Sequence, residues 1–138
     1  MPAELRATIG AEKPMFFAEG IRVTLRRSGS VPGRILYASV RSLSGAFAAT
    51  GTRVVASVGA MVILNAPWHF SESGSMTALF DSSGLHLHID LSLAHAGTGT
   101  IGMHFKYSLQ PVLHKLPMHR LGLSPTPDRV RSLFRSVY

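Results

Sequence analysis

The alternation in Leu85-His86-Leu87-His88-Ile89-Asp90-Leu91 constrains this chain more than any other feature. Successive side chains of a strand point to opposite faces, so Leu85, Leu87, Ile89 and Leu91 share one side and His86, His88 and Asp90 the other. A helix would scatter the same apolar residues around its circumference. The segment therefore reads as a half-buried strand. Ile101, Met103, Phe105 and Tyr107 alternate with Gly102, His104 and Lys106 in the same way. The Gly- and Thr-rich stretch 92–100 between the two runs predicts an antiparallel hairpin. Placing Leu91 opposite Ile101 sets His88 opposite His104 and His86 opposite Lys106. A slip of one residue would turn an apolar face to water, so only even slips compete with this register.

Runs of β-branched and aromatic residues bounded by turn residues predict further strands at 16–26, 34–42, 46–50, 53–58, 60–65 and 76–81. Gly59 and Ser82-Ser83-Gly84 supply tight reversals. The fold class that follows is mainly β, an antiparallel meander of about seven or eight strands that closes into a barrel or folds into a sandwich. No alternation of strand and helix is present to suggest a doubly wound sheet. One helix is predicted, at 127–138. Thr126 is its N-cap, Pro127 takes the first helical position and Asp128 sits at the positive end of the dipole. Val130, Leu133, Phe134 and Val137 form its apolar stripe. Residues 1–15 read as an N-terminal arm and 110–126 as a connecting arm, within a single domain spanning 1–138.

Only 15% of the 138 residues are charged and 46% are hydrophobic, so the chain carries enough apolar surface for one core of ordinary domain size. The formal charge of +7 is unevenly spread. Residues 1–53 hold eight basic and three acidic side chains, residues 54–105 hold three acidic and no basic ones, and residues 106–138 hold six basic and one acidic. The central third instead carries five of the seven histidines, so acidification through about pH 6.5 acts there first. Eleven of the fourteen basic residues are arginine, which suits bidentate contacts to carboxylate or phosphate. The absence of cysteine excludes disulfides, thiolate metal sites and a thiol nucleophile. The N-terminal Met1-Pro2-Ala3-Glu4-Leu5-Arg6 lacks the pattern of a signal peptide, so a cytoplasmic location is expected. The uncharged run 54–68 is interrupted by Gly59, Asn65 and Pro67 and is shorter than the roughly 20 residues of a spanning helix.

A meander of antiparallel strands closed by one C-terminal amphipathic helix resembles the pleckstrin-homology superfold in its bacterial, PH-like form. The likeness lies in the order of elements over residues 16–138. It also lies in Arg53-Val54-Val55-Ala56-Ser57, the Gly59 turn, and Met61-Val62-Ile63-Leu64 running to Trp68. The resemblance implies binding to phospholipid head groups, to peptides or to other copies of the chain, rather than catalysis. The basic loop of the lipid-binding pattern has its nearest counterpart in Arg26, Arg27 and Arg34, the candidate anion-binding set.

Three further constellations carry chemistry. His86, His88, Asp90 and His104 share one hairpin face and are the ligand types that zinc, iron or nickel accept in a cysteine-free protein. Trp68, His69 and Phe70 end an apolar strand and suit a pocket wall or an interface anchor. Phe16, Phe17, Arg22, Arg26, Arg34 and Tyr37 interleave aromatic and basic groups in the manner of a nucleic-acid surface. Gly97-Thr98-Gly99-Thr100-Ile101-Gly102 has the letters of a dinucleotide fingerprint, but a strand follows it where the motif needs a helix. No G-x-S-x-G frames any serine, so no catalytic triad can be assigned. The reading is a non-enzymatic binding or assembly module, expected to self-associate, with protein, peptide or anionic lipid as candidate partners and no cofactor. Its rivals are a metal-binding protein or metal-dependent enzyme built on the histidine face, and a small barrel that encloses an apolar ligand.

Overall fold

A computed structural model describes residues 1–68, 74–117 and 120–135. Eight antiparallel strands form one sheet curled into a half-barrel. In chain order they are β1 (Phe16–Val31), β2 (Arg34–Ala49), β3 (Arg53–Val58), β4 (Met61–Pro67), β5 (Met76–Asp81), β6 (Gly84–Asp90), β7 (Thr98–Lys106) and β8 (Leu121–Leu123). Their lateral order is β4-β3-β2-β1-β7-β6-β5-β8. Helix α1 covers Ala3–Ala11 and helix α2 covers Pro127–Arg135. No helix among the described residues is long and apolar enough to cross a membrane.

The inner face of the half-barrel holds the main core. Val23, Leu25, Phe47, Leu85, Leu87, Ile89, Ile101, Met103 and Phe105 are buried there together with Val130, Leu133 and Phe134 of α2. Each fully buried large side chain of α2 contributes about 1.5–3 kcal/mol, which is what holds a short helix that is marginal alone. Thr126 caps α2 as its sequence predicts, its hydroxyl accepting from the Arg129 amide over 3.3 Å. The helix also stitches the open side of the half-barrel: Arg129 donates to the Val62 carbonyl of edge strand β4, and Arg131 donates to the His95 and Ala96 carbonyls. Helix α1 lies on the opposite face, where Ile9 is buried against Ala48 and Val55. It occupies the segment expected as an N-terminal arm. The segment expected as a connecting arm contains a short 3-10 turn at Leu113–Lys115 and the strand β8, which pairs with β5.

Two of the expected strands, 34–42 and 46–50, are one continuous strand, β2. It pairs with β1 along nearly its whole length, with an irregularity where Tyr37 and Ala38 face Ser28. Ala38 there takes the left-handed conformation, φ 49°, as a β-bulge allows. The Val31-Pro32-Gly33-Arg34 reversal joins the two strands, with Gly33 at φ 85°, the positive angle that a type II turn requires after proline. The β6–β7 register corrects the sequence reading by two residues. Ile89 faces Ile101, His86 faces His104 and His88 faces Gly102. This is the even slip that leaves the apolar face intact, and it arises because Leu91 leaves the strand to enter the turn that returns to β7. The glycine-rich motif serves β1–β7 pairing. A Cβ on Gly99, at φ +106°, would lie 2.0 Å from the Ser28 carbonyl oxygen.

Candidate functional site

The histidine face is built on the corrected register. His86 and His104 are cross-strand neighbours whose rings stack with centroids 4.2 Å apart and planes 7° from parallel. Both Nε2 atoms converge on the Ser83 hydroxyl, at 3.3 Å and 3.2 Å. The Asp81 carboxylate joins them, 2.8 Å from His86 Nε2. Asp81 Oδ1 also accepts from the Ser83 hydroxyl at 2.6 Å and from the Ser83 amide at 2.8 Å. Partial burial opposes the charge on Asp81, but these two hydrogen bonds and the attraction of His86 outweigh it and hold the carboxyl below its usual range.

His88 and Asp90 lie apart from this cluster. His88 is exposed opposite Gly102, and Asp90 accepts from the Leu93 amide at 3.0 Å, which closes the turn after β6. A metal ion lies in the plane of each imidazole that binds it, and parallel stacked rings have no common plane. As they stand, His86 and His104 cannot share one ion. No group of three or more His, Asp or Glu side chains able to hold a metal is found among the described residues. Asp81 and Ser83, which organise the face, were not candidates from sequence. Their signal was the Asp81-Ser82-Ser83-Gly84 turn, since Asp and Ser two apart bond each other's backbone.

Trp68 is half-buried where β4 ends. Its Nε1 donates to the Thr50 carbonyl over 2.8 Å and its ring leans on Phe80, centroids 6.1 Å apart. It thus ties the β2–β3 turn to the core. His69 and Phe70 lie outside the described residues. An apolar cleft of about 180 Å³ separates α2 from β4 and is lined by Met61, Val62, Ile63, Met76, Val130 and Leu133. Small-molecule sites usually enclose about 300–1,000 Å³.

Arg26 does not converge with Arg27 and Arg34, which share the inner face. Arg26 is exposed on the outer face, paired with Val40. Arg27, next in the strand, points inward and is 2% exposed. Its Nη1 donates to the Phe134 carbonyl over 2.7 Å, placing a cation at the negative end of α2. Burial, with the nearby charges of Arg41 and Arg34, draws its pKa down. Arg34 opens β2 opposite Val31.

The largest departure from a quiet surface lies along β2. Among the described residues only Gly45–Ala49 of this strand pairs with β3, so Arg34–Ser44 has β1 on one side and no strand among them on the other. Ile35, Tyr37 and Val40 project from this open stretch and are 61%, 87% and 55% exposed. Cross-strand partners share a face. Val40 with Arg26, and Ser42 with Thr24, therefore lie outside, while Arg41 with Leu25 and Leu43 with Val23 lie inside. Sequence reading named Tyr37 and Arg34 here but missed Ile35, Val40 and Arg41. The signal available was an apolar alternation between two arginines. No protein-family model matches the chain, and neither a curated protein nor a solved structure matches it.

Proposed function

We propose that this chain is a non-enzymatic binding and assembly module that takes its partner by strand addition along the open edge of β2. The observation that carries the reading is the stretch Arg34–Ser44, paired with β1 on one side and facing no strand among the described residues on the other, with Ile35, Tyr37 and Val40 exposed on it. A strand edge left with free amides and carbonyls is a template for another strand. Natural edges are normally shortened, covered or made uniformly polar, and this one is long and carries three large apolar side chains. The half-barrel and C-terminal helix are compatible with a PH-like binding fold, and α2 fills the inner face that a barrel would otherwise offer to a small ligand.

Selection of peptides from a random displayed library tests the reading without assuming the partner's identity. Enriched sequences should alternate apolar and polar residues, compete with one another, and lose binding when Val40 is replaced by Asp. Enrichment of binders indifferent to Val40→Asp, or of none at all, would sink it.

A further inference from the structure

Gly102 is a glycine that the fold does not ask for. Nearby, a Cβ on Gly29, Gly97 or Gly99 would collide with a carbonyl oxygen across the β1–β7 pairing. At Gly102 the backbone φ is not positive, and the atom nearest an added Cβ is the Arg26 Cβ at 4.0 Å, an ordinary contact. Glycine inside a strand weakens it and often marks a place where something approaches the backbone closely. Its neighbours Ile101 and Met103 are buried on the inner face, so Gly102 opens outward, where it floors a cleft of about 300 Å³. We propose that this cleft binds a phosphate monoester.

The register places the lining. His88 of β6, Gly102 of β7, Arg26 of β1 and Val40 of β2 form one row across four strands. Two strand spacings separate Arg26 from His88, so the two flank the bare glycine from positions about 10 Å apart. In the adjoining row Thr100 pairs with Ser28, and both line the cleft. The side chains of Arg26, His88, Ser28 and Thr100 make no hydrogen bond or ion pair among the described residues. Asp90 continues that second row opposite Thr100, but its carboxylate accepts from the Leu93 amide. The unspent donors therefore come from three strands and from different directions. A carboxylate has two coplanar oxygens, which the fork of Arg26 alone would satisfy. A phosphate monoester presents three acceptor oxygens and up to two charges, enough for guanidinium, imidazole and hydroxyls together. Val40 ends the row with an apolar wall for the carbon next to the ester oxygen. The volume is at the lower end for small-molecule sites, so the group held there is compact. Soluble esters and phosphatidic acid carry the same phosphate, and the test separates these sources. The cleft uses the outer face and needs no strand at the β2 edge.

Calorimetric titration of the intact chain compares phenyl phosphate with benzoate, and sedimentation compares phosphatidylcholine vesicles with and without phosphatidic acid. Both are repeated on Gly102→Val, which fills the cleft and leaves every charge in place, and on Arg26→Gln, which alters an exposed side chain. Arg22→Gln removes the same charge from the same face of β1 outside the cleft. Phenyl phosphate should bind at least about tenfold more tightly than benzoate, and should lose at least about tenfold in Gly102→Val and in Arg26→Gln but less than about twofold in Arg22→Gln. Gly102→Val should unfold at the parent's temperature or above it. Retention on phosphatidic-acid vesicles alone, lost in the same two variants, supports the site and assigns the ester to a lipid. Equal affinity for benzoate and phenyl phosphate overturns the preference for phosphate. Binding that survives Gly102→Val is attraction to the net charge of +7 and overturns the cleft, as does binding of neither phenyl phosphate nor the acidic vesicles. If Gly102→Val unfolds at a lower temperature, Arg26→Gln decides alone, and undiminished binding in it overturns the site.

Discussion

Arg27 and Phe134 meet across 107 positions of sequence, the guanidinium of one donating to the main-chain carbonyl of the other over 2.7 Å. The contact joins the longest hairpin to the last described turn of α2 and places a buried cation where helix carbonyls run out of partners. Removing it should loosen α2 as a unit. Arg27→Met keeps much of the apolar stem and loses the charged hydrogen bond, and should cost about 1.5–3 kcal/mol in urea unfolding. An unchanged midpoint would show that α2 docks through its apolar stripe alone.

Acid should act on the β5–β6 turn. The Asp81 carboxyl is held below its usual range by Ser83 and His86, so its contribution to stability is present above the unfolded-state pKa and lost as pH falls through the lower, folded one. Asp81→Asn should therefore be less stable than the parent at pH 7, with the difference shrinking towards about pH 3. A difference that stays constant over this range would assign the effect to packing.

Two glycines should respond in opposite directions to alanine. At Gly99, φ +106°, a Cβ would meet the Ser28 carbonyl oxygen at 2.0 Å, so Gly99→Ala should destabilise by more than about 1 kcal/mol. Gly10 lies inside α1 with open space where a Cβ would go, and Gly10→Ala should stabilise by about 0.5–1 kcal/mol. Thermal unfolding of the two variants side by side checks both signs.

Trp68→Phe should separate the indole donor from the ring. Contact with Phe80 persists in kind, but the Thr50 carbonyl loses its Nε1 partner. A loss of about 1 kcal/mol is expected from denaturant unfolding, and a near-zero change would mean that solvent replaces the indole freely.

Residues offered for binding should be dispensable for folding. Tyr37→Ser alters a side chain that is 87% exposed, and its effect on stability should stay within about 0.5 kcal/mol. A larger loss would make Tyr37 part of the hairpin's own packing.

Most of the strands were legible because their period is local: the leucines and isoleucine of β6 declare a buried face by themselves. Register was legible only modulo two, since the same apolar face survives when Ile101 moves from Leu91 to Ile89. That residual freedom decided which histidines meet, so the true pair, His86 with His104, lay just beyond what alternation can specify. Helix α1 gave little signal because a single residue, Ile9, is buried in it. The open edge of β2 was illegible for a different reason. Its own sequence says strand, but its exposure depends on where β3 stops, at the pairing of Gly45 with Val58.

The bond from Arg27 to Phe134 also orders events in time. Synthesis delivers the β1–β2 hairpin before α2, so this bond cannot form until the sheet strands between them have been made. Contacts of such long sequence separation slow folding, and synthesis proceeds N-terminus first at about 5–20 residues per second. Until α2 has been made the inner face lacks Val130, Leu133 and Phe134, so the core cannot close before that helix is delivered.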